Sequence, residues 1–303
     1  VYVPENVKLA LAALIGYWEL PSGELLGSAL EVHAKSIELS MGFYHEFVWP
    51  ASGPDFAWLS ARQAWHRALR GCLPGAPAGY DSPKLVADGC EREIVTGKSD
   101  PLLTSEARIA YSVWREEKQK EPPPTRTVWL NRFLVWDTLQ FLKQSEAPYL
   151  VWSESPEMSN EISLHAARLG VAIKNVGVGP EADAWLASGP VAQHTLVSAN
   201  SHYRGKNLQQ WCNNLILVPP SGGQIMEQLI GRTARQGQTA SEVNVVVNQH
   251  TEPARSAWES CKRDARLAEE AFAVSQHLNH ADIRQAEPLN ELPETYPADA
   301  MVP

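Results

Sequence analysis

The sequence predicts an α/β chain, with a mainly helical segment over residues 1–121 followed by a parallel sheet with flanking helices over residues 125–250. Three observations predict it. Apolar positions before residue 121 recur at helical spacing. The run Glu121-Pro122-Pro123-Pro124 is a stiff, extended break. Beyond it, short apolar strands alternate with helical stretches, the pattern of parallel strands joined by crossover helices.

Residues 5–20 and 24–40 carry Val7, Leu11 and Leu14, then Leu26, Leu30 and Ile37, at helical spacing, with Pro21-Ser22-Gly23 between them. Residues 43–49 are aromatic and β-branched and read as a strand before the turn at Pro50 to Pro54. Asp55 starts a helix running to Gly71, with Trp58, Leu59, Arg62, Trp65 and Leu69 on and around one stripe, so its tryptophans belong to a core. From Cys72 to Pro101 the sequence is rich in Gly and Pro and only loops are expected; residues 103–120 form a helix with a charged end.

After the break, residues 127–130 read as the first strand of the sheet and 133–144 as its helix. Residues 149–153 are an apolar strand, followed by acidic and capping residues and a helix over 158–169. Further strands are expected at 171–176, 195–198, 215–218 and 243–247. Pro219-Pro220 and Gly222-Gly223 end the penultimate strand and open the next helix. Residues 251–287 form a charged helical extension, centred on a helix at 254–274, and 288–303 are rich enough in Pro and acid to be disordered.

The 303 residues, 44% of them hydrophobic, suffice for a sizeable core. A net charge of −9 argues against a protein coated in nucleic-acid-binding surface, although a local basic groove can coexist with an acidic exterior. The four cysteines, at 72, 90, 212 and 261, form no C-x-x-C pair and no regular spacing, so they suggest neither a zinc ribbon nor a disulfide framework and fit a reducing, cytoplasmic setting. The apolar run at 9–15 falls far short of the roughly 20 residues that span a bilayer, so no membrane partner is expected. The chain opens with Val and enters helix-like sequence at once, as a piece of something longer would.

The stretch with most chemistry is Gln228-Leu-Ile-Gly-Arg-Thr-Ala-Arg-Gln-Gly-Gln238. On a helix, Arg232 and Arg235, three apart, leave from one face and converge on one anion, for which a triphosphate is the natural target. Gly231 lets backbone come close just before that face, and Gly237 stands where a helix C-terminal cap takes positive φ. The alternative is a surface helix with two arginines in salt bridges. Upstream, residues 196–208 read Leu-Val-Ser-Ala-Asn-Ser-His-Tyr-Arg-Gly-Lys-Asn-Leu. There Gly205 permits close backbone approach and Asn207 can satisfy loop backbone groups. Arg204 and Lys206 can meet phosphates with salt-dependent strength, or line an ordinary solvated turn.

These stretches resemble a known family. The pattern Q-x-x-G-R-x-x-R-x-G-Q is similar to motif VI of superfamily 2 helicases and translocases. Residues 196–208 resemble motif V of the Swi/Snf type at Ser198, Gly205, Asn207 and Leu208, and the interval from Asn207 to Arg232 aligns with that type without a gap. Residues 149–153 resemble motif IV. The resemblance spans roughly 125–250 and implies the second RecA-like lobe of a two-lobe motor. It implies that Arg235 is an arginine finger, that Arg232 shares phosphate contact, and that Gln228 and Gly231 lie near the nucleotide. ATP with Mg2+ would be held mainly by a first, N-terminal RecA-like lobe, and the motif V region would follow a nucleic-acid strand, DNA before RNA.

Hydrolysing ATP needs a phosphate cradle, a magnesium-holding acid, a residue that positions water, and positive charge at the transition state; this chain offers only the last. It has neither a complete G-x-x-x-x-G-K-[ST] nor a D-E-x-H-like box. Gly97-Lys98-Ser99 imitates the end of a P-loop, but Arg92 stands where that loop requires glycine. Ala199 replaces the usual motif V threonine, His202 and Tyr203 replace its paired glycines, and Val218 replaces the acid after the following strand. The rival is a non-catalytic RecA-like nucleic-acid-binding or assembly module. His277, His280 and Asp282 have ligand-like spacing but no further ligands nearby, so no metal is expected there and a solvated helix end is.

Overall fold

The computed structural model describes residues 1–73, 80, 82–190, 193–203 and 205–285. It divides into two compact units, one of Val1–Glu5, Ser40–Gly42 and the chain from Leu130 onward, the other of Asn6–Leu39 and Phe43–Trp129.

In the second unit, α1 (Glu5–Tyr17) buries Val7, Leu11 and Leu14 as the spacing predicts. Helix α2 spans Ala29–Ser40 and begins later than expected. Ser28 Oγ accepts the Glu31 N–H while the Glu31 carboxylate reaches back to the Gly27 N–H at 2.7 Å, and this reciprocal capping sets the start. Leu30, beside that cap, is 78% exposed and does not join the core stripe. Strand β1 (Phe43–Phe47) pairs antiparallel with β2 (Thr125–Trp129). Residues 127–130, expected as the first strand of the parallel sheet, therefore lie outside it. Cross-strand pairs decide this: the Phe43 and Trp129 rings are 5.0 Å apart, and Arg126 pairs with Glu46 across the ladder.

Helix α3 (Phe56–Cys72) starts at Asp55, whose side chain accepts the Trp58 N–H at 3.0 Å, and buries Trp58, Trp65 and Leu69. The stretch read as loops contains α4 (Pro83–Thr96), capped by Ser82, with Pro in its first turn and Gly97 at φ 67° closing it. Gly97 thus ends a helix, whereas a P-loop opens one. Helix α5 (Ser105–Glu117) packs on α3 and joins it and α4 in a core of Trp65, Leu69, Val86, Cys90, Ala107 and Tyr111.

The other unit holds five parallel strands in the order β4-β5-β3-β6-β7. They are β3 (Leu150–Ser153), β4 (Ile173–Val176), β5 (His194–Ser198), β6 (Asn213–Ile216) and β7 (Asn244–Val247). The architecture read from the sequence, a parallel sheet with flanking helices after a mainly helical segment, is the one found. Its helices are α6 (Phe133–Gln144), α7 (Pro156–Leu169), α8 (Pro180–Ser188), the single turn α9 (Ala199–His202), α10 (Gly223–Thr233), α11 (Glu252–Phe272) and the single turn α12 (His277–His280). Leu150, Trp152, Val197 and Ile216 face Leu186 of α8, Met226 and Leu229 of α10, and Trp258 and Cys261 of α11. Strand alternation turns the buried Val151, Leu196 and Leu215 to the opposite face, where α7 covers the sheet. Residues 288–303 lie outside the described residues. Among the described residues no helix is long and apolar enough to cross a membrane.

Because α10 links two neighbouring parallel strands, it starts beyond the carboxyl end of β6 and returns to the amino end of β7. The segment carrying the two arginines is therefore delivered to the amino-end edge of the sheet.

Candidate functional site

Helix α10 begins close against α11. The Gly223 N–H donates to the Asp264 carboxylate at 3.1 Å, and a Cβ on Gly223 would stand 2.5 Å from Asp264 Cβ, so only glycine fits there. Met226 and Leu229 then fix its rotation in the core. The helix stops at Thr233. Asn214 Nδ2 donates to the Thr233 hydroxyl at 3.0 Å, Gln238 Nε2 donates to the Thr233 carbonyl at 3.1 Å, and Ala234 turns away at ψ 70°. Arg235 is therefore outside the helix, and the two arginines do not share a helical face as their spacing predicts. Gly237 does take positive φ, 94°, but past the cap rather than at it.

The two arginines have different surroundings. Arg232 is half-buried; its Nε donates to the Tyr203 carbonyl at 2.8 Å and its Nη1 to the Lys206 carbonyl at 3.2 Å, while its own carbonyl accepts the Leu208 N–H at 3.1 Å. Burial, with the Arg235 charge beside it, lowers its pKa from the ordinary arginine value. It braces the 203–208 loop. Arg235 is exposed, and its Nη1 donates to Asn207 Oδ1 at 2.7 Å. Asn207 thus meets an arginine rather than loop backbone. A guanidinium has five N–H donors, so one bond to a neutral amide steers Arg235 and leaves its charge available to an anion.

The other expected site residues separate around this pair. Gly205 takes φ 71°, and Leu208 is buried beside Trp211 in the sheet core. Lys206 Nζ is ion-paired with Asp183 of α8. Ser198 ends β5 and caps α9 through its backbone, without a side-chain cap bond. Arg204 lies outside the described residues. Gln228 is half-buried, and its Oε1 is buried without a hydrogen-bond partner. The close approach at Gly231 is made by the His277 ring, whose Cε1 would lie 3.5 Å from a Cβ there.

Several residues of this region escaped the sequence reading. Gln238 bridges the Thr233 and Trp211 carbonyls, the latter at 3.0 Å, and so ties the helix end to the loop before β6. His202, where the resemblance expects glycine, is buried and bonds the Gly177 carbonyl at 2.8 Å; Ala199 is core. His277, read as part of a solvated helix end, bonds Glu227 and the Ala234 carbonyl. His280 bonds Glu269 at 3.1 Å, and Asp282 pairs with Arg284. Among the described residues no group of three or more His, Cys, Asp or Glu side chains could hold a metal ion.

No family model and no curated protein matches the chain. Among solved structures, the C-terminal part of the Fun30 ATPase domain is similar over 85% of this chain and 83% of that one, at 13% identity and a TM-score of 0.38. The Pyrococcus furiosus Hef helicase domain is similar over 85% of this chain and 55% of its own, at 16% identity and a TM-score of 0.37.

Proposed function

We propose that this chain is the C-terminal RecA-like lobe of an ATP-dependent superfamily 2 helicase or DNA translocase of the Swi/Snf type. The observation that carries the reading is the meeting of its two motif-like stretches, in which Arg232 braces the 203–208 loop and Asn207 of that loop steers the exposed Arg235. On this reading Arg235 is the finger that meets the charge developing on the γ-phosphoryl group, and Arg232 acts chiefly by holding the loop. The exposed guanidinium fits a phosphate oxygen. On this reading Mg2+ and most of the ATP contacts would come from a first lobe supplied by another segment or another chain, since the sequence carries neither a complete P-loop nor an acidic box.

The loop from Ser198 through Gly205, Lys206, Asn207 and Leu208 would follow a nucleic-acid strand, DNA before RNA, and sense the nucleotide through the Asn207–Arg235 bond. Lys206 would have to leave Asp183 to reach a phosphate. A cytoplasmic setting accompanies this reading. The deciding experiment measures ATP hydrolysis by the complete protein with and without single- and double-stranded DNA. Arg235→Ala should lower stimulated hydrolysis about a thousandfold; unchanged hydrolysis would refute the finger. One observation favours the second reading, a non-catalytic assembly or nucleic-acid-binding module: His202 and Ala199 serve the interior of this lobe at positions where the motif carries other residues. No hydrolysis by the complete protein under any nucleic acid would select it.

A further inference from the structure

The chain beyond α11 folds back onto the helix that carries the arginines. Leu278 is buried in the sheet core, and Asn279 Nδ2 donates to the Glu269 carboxylate at 2.7 Å and to the Ala265 carbonyl at 3.2 Å, so α12 is seated on α11. From that seat the His277 and Leu278 N–H groups both donate to the Glu227 carboxylate, at 2.6 and 3.2 Å. The His277 ring stands between two acceptors. Nδ1 is 2.5 Å from Glu227 Oε1, and Nε2 is 3.0 Å from the carbonyl oxygen of Ala234, the residue just before Arg235.

Glu227 Oε1 and the Ala234 carbonyl oxygen both accept, and the ring lies between them with Nε2 turned to the carbonyl. We propose that His277, seated by the Glu227 carboxylate, is a positioning residue for Arg235: the ring's Nε2–H donates to the Ala234 carbonyl and fixes the peptide from which the Arg235 side chain departs. This rests on the reading of Arg235 as a finger. Asn207 then steers that side chain from its tip, and His277 fixes it at its root.

The test is steady-state ATP hydrolysis by the complete protein, with melting temperature as a folding control. His277→Ala should lower kcat about tenfold or more while the KM for ATP stays level, because the grip serves the transition state. His277→Gln, which keeps an amide donor for the Ala234 carbonyl, should recover most of that loss. Should His277→Ala melt early, Glu227→Gln carries the test, with a smaller fall in kcat at the same KM. Unmoved kcat in His277→Ala while Arg235→Ala abolishes hydrolysis would overturn the positioning role and leave the finger standing. Hydrolysis unmoved by Arg235→Ala would instead refute the finger itself.

Discussion

Asn207 and Arg235, 28 residues apart in the chain, meet through an amide oxygen and a guanidinium 2.7 Å from one another. A neutral acceptor holds the arginine in place without cancelling its charge, which a carboxylate at the same position would do. Both residues are exposed, so Asn207→Ala should change the unfolding free energy by no more than about 0.5 kcal/mol. If Arg235 is the finger proposed above, Asn207→Ala should still lower ATP hydrolysis by the complete protein about tenfold, because a finger that wanders reaches its target geometry less often. Asn207→Asp should be the more damaging of the two, the new ion pair competing with phosphate for Arg235. Paired melting curves and rate measurements check both variants.

Gly42 should tolerate no side chain. It sits at φ 92°, and a Cβ there would lie 2.1 Å from the Asn131 carbonyl oxygen. Its own carbonyl accepts the N–H groups of Leu130 and Asn131, at 2.8 and 3.1 Å, so the backbones cannot separate without breaking those bonds. Gly42→Ala should cost about 3 kcal/mol or more, combining positive-φ strain with a steric overlap. Urea unfolding measures it directly.

What was legible in the sequence was what neighbouring residues decide. Periodicity located α6 to the residue, and short apolar runs located all five sheet strands to within a few residues, most clearly in β3, where burial on both faces leaves an unbroken apolar stretch. Helix α4 was signalled by Ser82-Pro83 and Gly97, but that signal was overridden by the Gly and Pro around it. Other features depend on distant partners. The strand ending at Trp129 pairs with residues some eighty positions earlier. Arg235 leaves its helix because Asn214 and Gln238 claim the atoms of Thr233, and His277 finds a carboxylate 50 residues away. Spacing alone is blind to such contacts. It assigned Asn207 to one stretch and the two arginines to another, and gave no sign that Asn207 bonds Arg235 directly.

His250 should make this unit sensitive to acid. Its Nε2 bonds the Ser40 carbonyl at 2.7 Å and so carries the proton, its Nδ1 is buried without a partner, and the Phe133 ring packs edge-on 5.5 Å away. Burial pushes its pKa down to about 4 from an ordinary 6.5. A depressed histidine value means the unfolded chain takes the proton first, so stability is full above about pH 6.5 and declines as pH falls to about 4. The loss across that window should be about 3 kcal/mol at most. His250→Gln, which keeps an N–H for Ser40, should flatten it. Chemical unfolding at a series of pH values tests both expectations.

Asn214 is the residue on which the end of α10 depends most. It is 1% exposed, and its Oδ1 accepts the Trp152 indole N–H at 3.1 Å. Its Nδ2 donates to the Thr233 hydroxyl at 3.0 Å and the Asn244 carbonyl at 3.4 Å, so one amide links β3, β6, β7 and α10. Asn214→Leu fills similar space but leaves the buried Trp152 indole N–H and the buried Thr233 hydroxyl without these partners, at a cost of about 2 to 4 kcal/mol. Asn214→Asp should be worse, since it keeps the acceptor for Trp152 but turns a charged oxygen toward the Asn244 carbonyl in a dry setting. Thr233 is also where the helix ends and the path to Arg235 begins. Asn214→Leu should therefore raise amide exchange from Thr233 to Gln238 more than in β3, whose ladder bonds to β5 it leaves intact. Uniform protection across both stretches would show that Asn214 only adds stability and does not hold the arginine-bearing turn.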